Sequence, residues 1–160
     1  MTSNSAPSGV ASACAEDGGG AFQAMDKNGA TYWYHNVIDT LPHWLKYDFG
    51  AGNAKTITQY TITPAAFPNY DPRDWTFDGS NDDAAWTTLD THTDYTFPAL
   101  TKQTFNAFVN TTAYRYYRLY VTDVNRDLYK TIILVEWEMM ETVLEATTNY
   151  LKKYRRLSFQ

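Results

Sequence analysis

The segment Ala24 to Thr31 carries the oxygen-bearing side chains best suited to holding a metal ion. Asp26, Asn28 and Thr31 stand close together in the sequence AMDKNGAT, in a loop that can also offer backbone carbonyls from Ala24 onward. Ca²⁺ takes about six to eight oxygen ligands, and carbonyls can supply several of them. The segment therefore predicts a site for Ca²⁺ or a similar hard cation. The alternative is a polar turn held by hydrogen bonds of its Asn and Asp side chains.

Residue patterns that are typical of active sites are missing from the chain. The sequence contains no HExxH, no GxSxG and no glycine-rich phosphate loop. Its three histidines, His35, His43 and His92, lack metal-ligand spacing among themselves. Cys14, the single cysteine, excludes an intrachain disulfide and lies in a small, polar segment that offers no Cys–His nucleophile pair. We therefore expect a protein without catalytic activity.

Two strand-forming segments, joined by a polar turn, indicate a β-hairpin between Arg73 and Asp90. Trp75 and Phe77 alternate with polar residues at a period of two, and the residues GSNDD from Gly79 onward interrupt this pattern before Trp86 restarts it. Gly, Ser, Asn and Asp all tolerate turn geometry.

The same pattern recurs along the chain and predicts seven short strands without helical periodicity between them. This favours an antiparallel β-sandwich. Because tryptophan buries a large area, we expect at least four of the five tryptophans in the core. The predicted strands are Trp44 to Phe49, Ile57 to Thr63, Trp75 to Phe77, Trp86 to Leu89, Thr104 to Phe108, Tyr114 to Thr122 and Ile132 to Met139.

The two ends of the chain differ from its middle. Residues 1–20 are small and polar and include three consecutive glycines, so we expect a flexible N-terminal arm, followed by one sandwich domain over residues 21–140. In residues 141–160, apolar residues recur at helical steps, with acidic residues early and basic residues late. This pattern predicts a C-terminal helical attachment segment with Val143, Leu144, Leu151 and Tyr154 on its buried side.

Charge and hydropathy restrict the possible partners and location. The net charge is −5, and the last twenty residues hold four of the 13 basic and two of the 18 acidic residues, so the first 140 residues carry −7. An acidic body repels phosphate backbones, and we expect no nucleic-acid partner. No apolar stretch approaches the roughly 20 residues of a spanning helix, and no signal peptide is recognisable, so we expect no membrane insertion and synthesis in a cytoplasm.

Four motifs in the same order resemble the discoidin family, also called F5/8 type C or galactose-binding-like domains. They are AMDKNGATYW, WLKYDFG with the following YTIT, the turn DGSNDDAAW, and YRYYRLYV followed by ILVEWEM. Together they cover roughly residues 7 to 140. The resemblance implies a jelly-roll-like β-sandwich.

The resemblance also implies site residues. Family members often hold a structural Ca²⁺ in the loop that matches Ala24 to Thr31, with help from a Glu on the last strand. The matching residue here is Glu136, with Glu138 as the neighbouring possibility. For sugar recognition, the resemblance points to contacts in three loops, with two further tyrosines beside them. The residues concerned are His35, Arg73, Tyr129, Tyr34 and Tyr70.

Two functions follow as hypotheses. In the first, the chain is a non-catalytic carbohydrate-binding module that recognises cell-surface glycans, as an exposed part of a larger assembly such as a phage tail or virion attaching to its host. In the second, it is a structural or adaptor subunit of such an assembly, contacting other protein subunits without binding sugar. The segment from Glu141 to Gln160 discriminates between them, because a binding module alone has no need of an attachment helix.

Overall fold

The computed structural model describes residues 1–36, 41–125 and 130–141, and it confirms the predicted antiparallel β-sandwich. Two sheets pack face to face around one apolar core. The five-stranded sheet has the strand order β1-β3-β8-β5-β6, and the four-stranded sheet has the order β2-β9-β4-β7. Every pairing is antiparallel. The strands are β1 Val10–Ala13, β2 Trp33–His35, β3 His43–Asp48, β4 Ile57–Pro64, β5 Pro72–Ser80, β6 Thr87–His92, β7 Gln103–Phe105, β8 Tyr116–Val124 and β9 Ile132–Glu141.

The predicted hairpin is present as β5 and β6. Trp75 pairs with His92 and Gly79 pairs with Thr87, with a bulge between Phe77 and Asp78. In the turn, the Ser80 hydroxyl accepts hydrogen bonds from the following backbone amides. The polar turn residues therefore act through local hydrogen bonds, as their types indicate.

The N-terminal segment was predicted as a flexible arm, and here the structure corrects the sequence interpretation. Residues Val10–Ala13 form β1, which pairs with β3, and Ala11 is buried. The glycine run is also a packing feature, because a Cβ on Gly19 would lie 1.9 Å from the Tyr32 carbonyl oxygen. Small residues here permit close approach of the backbone to β2 and β3, which the sequence alone does not distinguish from flexibility.

The core is rich in aromatic rings. Tyr60 stacks on Phe77 and on Phe105, with ring centroids 4.4 and 4.9 Å apart. Its hydroxyl accepts a hydrogen bond from the Trp75 indole and donates one to Asp90. The rings thus join the two sheets, and the buried polar tips of Tyr60 and Trp75 are satisfied.

Tryptophan burial departs from expectation. Trp33, Trp75 and Trp137 are buried, whereas Trp44 and Trp86 are partly exposed. These two rings lie under cations, with the Lys46 ammonium 5.3 Å from the Trp44 ring and the Arg118 guanidinium 4.2 Å from the Trp86 ring. The prediction of at least four core tryptophans is therefore wrong, because a cation covering a ring is an alternative to burying it.

Helix plays little part in the described residues. It is limited to the 3₁₀ turns Ala21–Met25 and Pro68–Tyr70. No helix in this part of the chain has the length and hydropathy that crossing a bilayer requires. The C-terminal helix was predicted for residues 141–160. Glu141 is instead the last residue of β9, and residues 142–160 lie outside the described ranges, so the helix stays a prediction there.

Candidate functional site

The oxygen-rich loop follows the 3₁₀ turn Ala21–Met25 and is held by its own side chains. The Asp26 carboxylate accepts hydrogen bonds from the Asn28 amide and from the Thr31 hydroxyl, each 2.8 Å long. The Asn28 side chain accepts one from the Ala30 amide. The alternative interpretation, a polar turn, therefore accounts for the hydrogen bonds within the loop. Ala24, within the 3₁₀ turn, is fully buried.

A second carboxylate is buried beside Asp26. Glu136 on β9 is only 7% exposed, and neither of its oxygens has a hydrogen-bond partner among the described residues. Burial raises the pKa of Glu136 to about 7, and the negative charges of Asp26 and Glu138 add to this shift. The Asn28 amide offsets part of the shift without reaching hydrogen-bonding geometry. The pair therefore lacks a counter-charge, which a cation bound between Glu136 and Asp26 would provide.

Of the two glutamates considered for this position, Glu136 alone is free to bind a cation there. The Glu138 carboxylate pairs with Lys102 and accepts a hydrogen bond from the Thr61 hydroxyl at 3.2 Å. Lys102 lowers the pKa of Glu138. Glu138 is thus already neutralised by its own partners.

Two of the predicted sugar-contacting residues, Tyr34 and Tyr70, line one cleft. Its volume is about 420 Å³, within the range of small-molecule sites. Its floor contains Ile133, which packs with Ala65 and Val135 in a small apolar cluster against which both tyrosines lie. The described residues that line it are Tyr34, Asn36, Phe67, Tyr70, Thr131 and Ile133.

The rim of this cleft combines aromatic and polar groups. Phe67 is 62% exposed, and its ring lies 6.2 Å from that of Tyr70 at an angle of 64°. Across the cleft, the Thr131 hydroxyl donates a hydrogen bond to the Asn36 side-chain oxygen at 3.0 Å. An exposed ring beside an amide and a hydroxyl provides the two kinds of contact that a pyranose offers, namely an apolar face and hydroxyl groups.

His35 does not line the cleft, although Tyr34 and Asn36 on either side of it do. Its ring is 4% exposed and lies edge-on to the ring of His43, with centroids 4.6 Å apart. Its Nδ1–H donates to the Asp17 carboxylate at 2.7 Å. The Asn36 amide and this hydrogen bond together lower the pKa of Asp17. Because strand side chains alternate, Tyr34 faces the cleft while His35 faces inward.

Arg73, another predicted sugar contact, is not among the described cleft residues. The Arg73 guanidinium pairs with Asp74 and Asp123. The same Asp123 carboxylate pairs with Lys130. Tyr129 falls outside the described residues, and its role stays a prediction.

Four of the described cleft residues were missed in the sequence. Asn36 lies on a separate segment from Thr131 and Ile133, and only the fold brings these three together. Phe67 offered a usable signal. The sequence FPNYDP places two rings three residues apart in a proline-bounded loop, and loops run over the surface of a protein, where functional residues concentrate.

A second aromatic surface lies on the outer face of the five-stranded sheet. It contains Trp44 and Trp86 together with Lys46 and Arg118. Lys46 pairs with Asp83 at 2.6 Å, and Arg118 pairs with a buried aspartate of β5. Because the cations already occupy the ring faces, this surface offers less open ring area than the cleft does.

Comparison with protein families places most of the chain in one known group. The model of the F5/8 type C domain matches residues 8–136. No curated protein matches the chain at a significant level.

Several solved structures share the fold. CpGH89CBM32-5 from Clostridium perfringens, in complex with GalNAc-β-1,3-galactose, is 16% identical, covers 82% of this chain and 94% of its own, and has a TM-score of 0.69. The family 32 module of C. perfringens NanJ, in complex with galactose, is 19% identical, covers 82% and 92%, and has a TM-score of 0.66. Chitosan-binding module 1 from the chitosanase/glucanase of Paenibacillus sp. IK-5 is 24% identical, covers 86% and 98%, and has a TM-score of 0.67.

Proposed function

The chain belongs to the F5/8 type C domain family, and on this basis we propose that it is a non-catalytic carbohydrate-binding module that recognises cell-surface glycans. One observation carries the proposal, namely the cleft lined by Tyr34, Phe67, Tyr70, Asn36 and Thr131. We call it the aromatic cleft. The solved structures that share the fold of the chain are carbohydrate-binding modules, which supports the same proposal.

The chemistry of the aromatic cleft suits a single sugar residue. The exposed Phe67 ring can stack on the apolar face of a pyranose, while Asn36 can accept and donate hydrogen bonds to its hydroxyls. Because Phe67 is largely exposed, the rest of a glycan bound at its ring can extend into solvent. Recognition of a terminal or exposed sugar unit, rather than of a long buried chain, follows from this shape.

The sugar class is proposed from the relatives. Galactose, GalNAc-β-1,3-galactose and chitosan are the ligands named for three modules of the same fold. We propose neutral hexoses and N-acetylated hexosamines as the first ligands to test, because the described residues of the cleft lining include no charged side chain.

We further propose that Ca²⁺ binds between Asp26 and Glu136 as a structural ion. The unpartnered Glu136 oxygens support this, because a buried carboxylate without donors fits a hard cation. The ion would be bound by these carboxylates with oxygens of Ala24, Asn28 and Thr31, and it would fix the loop to β9. The loop leads directly into β2, which carries Tyr34.

The test of the sugar site is glycan binding by single variants of the full chain. Phe67→Ala and Tyr70→Ala should each weaken binding by about threefold to tenfold, because a lost aromatic contact costs about 0.5–1.5 kcal/mol. An array containing galactose, N-acetylgalactosamine and chitosan oligosaccharides would identify the ligand, and isothermal titration calorimetry would measure its Kd.

Trp86→Ala is the matched control, since it removes a partly exposed ring from the other aromatic surface. Binding should survive it unchanged. If Trp86→Ala weakens binding and Phe67→Ala does not, the sugar site lies on the five-stranded sheet. If the folded wild-type protein retains no glycan at all, the carbohydrate-binding function is contradicted and the adaptor hypothesis is favoured.

Attachment to a phage virion, or to any other assembly, stays a prediction. It depends on residues 142–160, which lie outside the described ranges.

A further inference from the structure

A cluster of nitrogen and sulfur ligands lies at one end of the sandwich, apart from the aromatic cleft and the oxygen-rich loop. Cys14 directly follows β1, His35 ends β2 and His43 begins β3. One ligand atom from each of the three side chains lies within 4.8 Å of the other two. Among the described residues, this is the one group of three or more His, Cys, Asp and Glu side chains with such spacing.

Hydrogen bonds fix which nitrogen each histidine can offer. The Nδ1–H of His35 donates to Asp17, and the Nε2–H of His43 donates to the backbone carbonyl of Lys130. Since a neutral imidazole carries one proton, Nε2 of His35 and Nδ1 of His43 keep their lone pairs. A carboxylate or carbonyl that holds the far nitrogen is the usual outer partner of a metal-binding histidine.

The Nδ1 atom of His43 is the observation that points to a ligand. His43 is fully buried, and this nitrogen has no hydrogen-bond partner within the described ranges. An unmet buried acceptor is costly, so native structures rarely leave one without a partner. The neighbouring side chains of the cluster offer a thiol and a second imidazole, and a metal ion bound among them would give Nδ1 its missing partner.

The sulfur is placed to take part. The Trp44 backbone amide donates to the Cys14 sulfur at 3.4 Å, and such a donor stabilises a thiolate. Burial raises the pKa of the Cys14 thiol, so zinc must displace its proton on binding. One thiolate and two neutral imidazoles form a donor set that suits Zn²⁺ and does not suit Ca²⁺ or Mg²⁺.

We propose that Cys14, His35 and His43 form a zinc site that ties the two sheets together. Around tetrahedral Zn²⁺, ligand atoms lie roughly 3.3–3.6 Å apart, as follows from bonds of about 2.0–2.3 Å. The present spacing, up to 4.8 Å, exceeds this by about 1 Å, so the three side chains would move closer together as the ion binds. The fourth position is left to water.

The site would have a structural role. β1 and β3 belong to the five-stranded sheet and β2 belongs to the four-stranded sheet, so the ion would link both layers. It would also hold the end of β2 next to Tyr34 and Asn36 of the aromatic cleft. In this site His35 would bind the ion and would not contact sugar.

The experiment is Zn²⁺ titration of the full chain after removal of metal with a chelator. Wild type should bind one equivalent of Zn²⁺. Cys14→Ser and His43→Gln should each raise the Kd for Zn²⁺ by at least about a hundredfold. Asp17→Asn should weaken it by about tenfold to a hundredfold, the usual effect of losing an outer partner. Co²⁺ should give a thiolate-to-cobalt charge-transfer band in wild type that Cys14→Ser abolishes.

His92→Gln is the matched control, because His92 pairs with Asp90 outside the cluster. It should leave both the zinc affinity and the cobalt spectrum unchanged. Circular dichroism of each metal-free variant separates loss of a zinc ligand from loss of the fold. Serine is nearly isosteric with cysteine, so Cys14→Ser still tests the site if His43→Gln unfolds. The proposal is overturned if folded wild type binds no Zn²⁺, or binds it as tightly as folded Cys14→Ser does.

Discussion

Two proposed metal sites flank β2. The first is the oxygen pair, Asp26 and Glu136, at the loop before this strand. The second is the nitrogen–sulfur cluster, Cys14, His35 and His43, at the end of the strand. Both contain a buried polar atom without a partner among the described residues, a Glu136 oxygen in one and the His43 Nδ1 in the other. They differ in donor type, and therefore in the ion that each can select. Burial of an unpartnered group marks a place for a ligand, whereas the chemistry of its neighbours decides which ligand fits.

The two places also differ in how the sequence displays them. Asp26, Asn28 and Thr31 lie within six residues, so the donors are visible as a motif. Cys14, His35 and His43 are spread over thirty residues and three strands. The loop donors are therefore visible before folding, and only Glu136 has to be brought to them by β9, whereas the dispersed cluster exists only after the sheets have paired.

The largest expected effect is a separation of the two metal responses. Ca²⁺ should stabilise wild type and Cys14→Ser but not Glu136→Gln, whereas Zn²⁺ should stabilise wild type and Glu136→Gln but not Cys14→Ser. An ion that binds only the folded state adds about 2.7 kcal/mol at a hundred times its Kd. Chemical denaturation with and without each ion would measure this.

If one variant loses stabilisation by both Ca²⁺ and Zn²⁺, the two sites are not independent and form a single coupled site. An unchanged response to Ca²⁺ in Glu136→Gln would leave the oxygen-rich loop as a polar turn only.

The next largest effect is expected at Asp71, a fully buried carboxylate that, unlike Glu136, does not belong to the oxygen pair. Burial raises the pKa of Asp71 to about 7, from an ordinary value of 3.8, and the Ala65 amide offsets only part of this. The folded state then holds the proton more tightly than the unfolded chain. Asp71 therefore favours folding fully below pH about 4, and this contribution is lost as the pH rises to about 7.

Asp71→Asn should consequently raise the free energy of unfolding at pH 8 by about 1–3 kcal/mol while changing it little at pH 4. Its response to Ca²⁺ should equal that of wild type, since no second carboxylate of a cation site accompanies it. Urea denaturation at both pH values would show this. Equal stability of Asp71→Asn and wild type at pH 8 would mean that the carboxylate is satisfied in solution.

The smallest effect concerns Lys27 in the oxygen-rich loop. Its φ of 60° is in the left-handed region, which costs a side chain about 1 kcal/mol relative to glycine. Lys27→Gly should recover about that much stability and, by removing a cation near Glu138, strengthen Ca²⁺ binding a few-fold. Asp94→Gly, at φ 53° outside the loop, is the control that relieves strain without changing the Ca²⁺ affinity. Equal changes in Ca²⁺ affinity for both variants would exclude a charge effect of Lys27.

Much of the architecture could be predicted because strand patterns are local. Alternation at a period of two located the strands from β3 to β9, and the polar turn after Gly79 located the hairpin. β1 was not predicted because its sequence, VASA, has small side chains. This strand pairs at a sheet edge, where backbone hydrogen bonds to β3 matter more than side-chain type. Trp44 and Trp86 were misjudged because alternation identifies a face without telling whether a cation covers it.

The sequence by itself determined the antiparallel sandwich, the family and the oxygen-rich loop, since each depends on residues that are neighbours along the chain. Tertiary structure decided the rest. Only the pairing of β2 with β9 turned Tyr34 toward Tyr70 and His35 toward His43. Tyr34, which lines the cleft, and His35, which is buried and belongs to the proposed zinc site, can be adjacent residues, because successive side chains of a strand point to opposite faces.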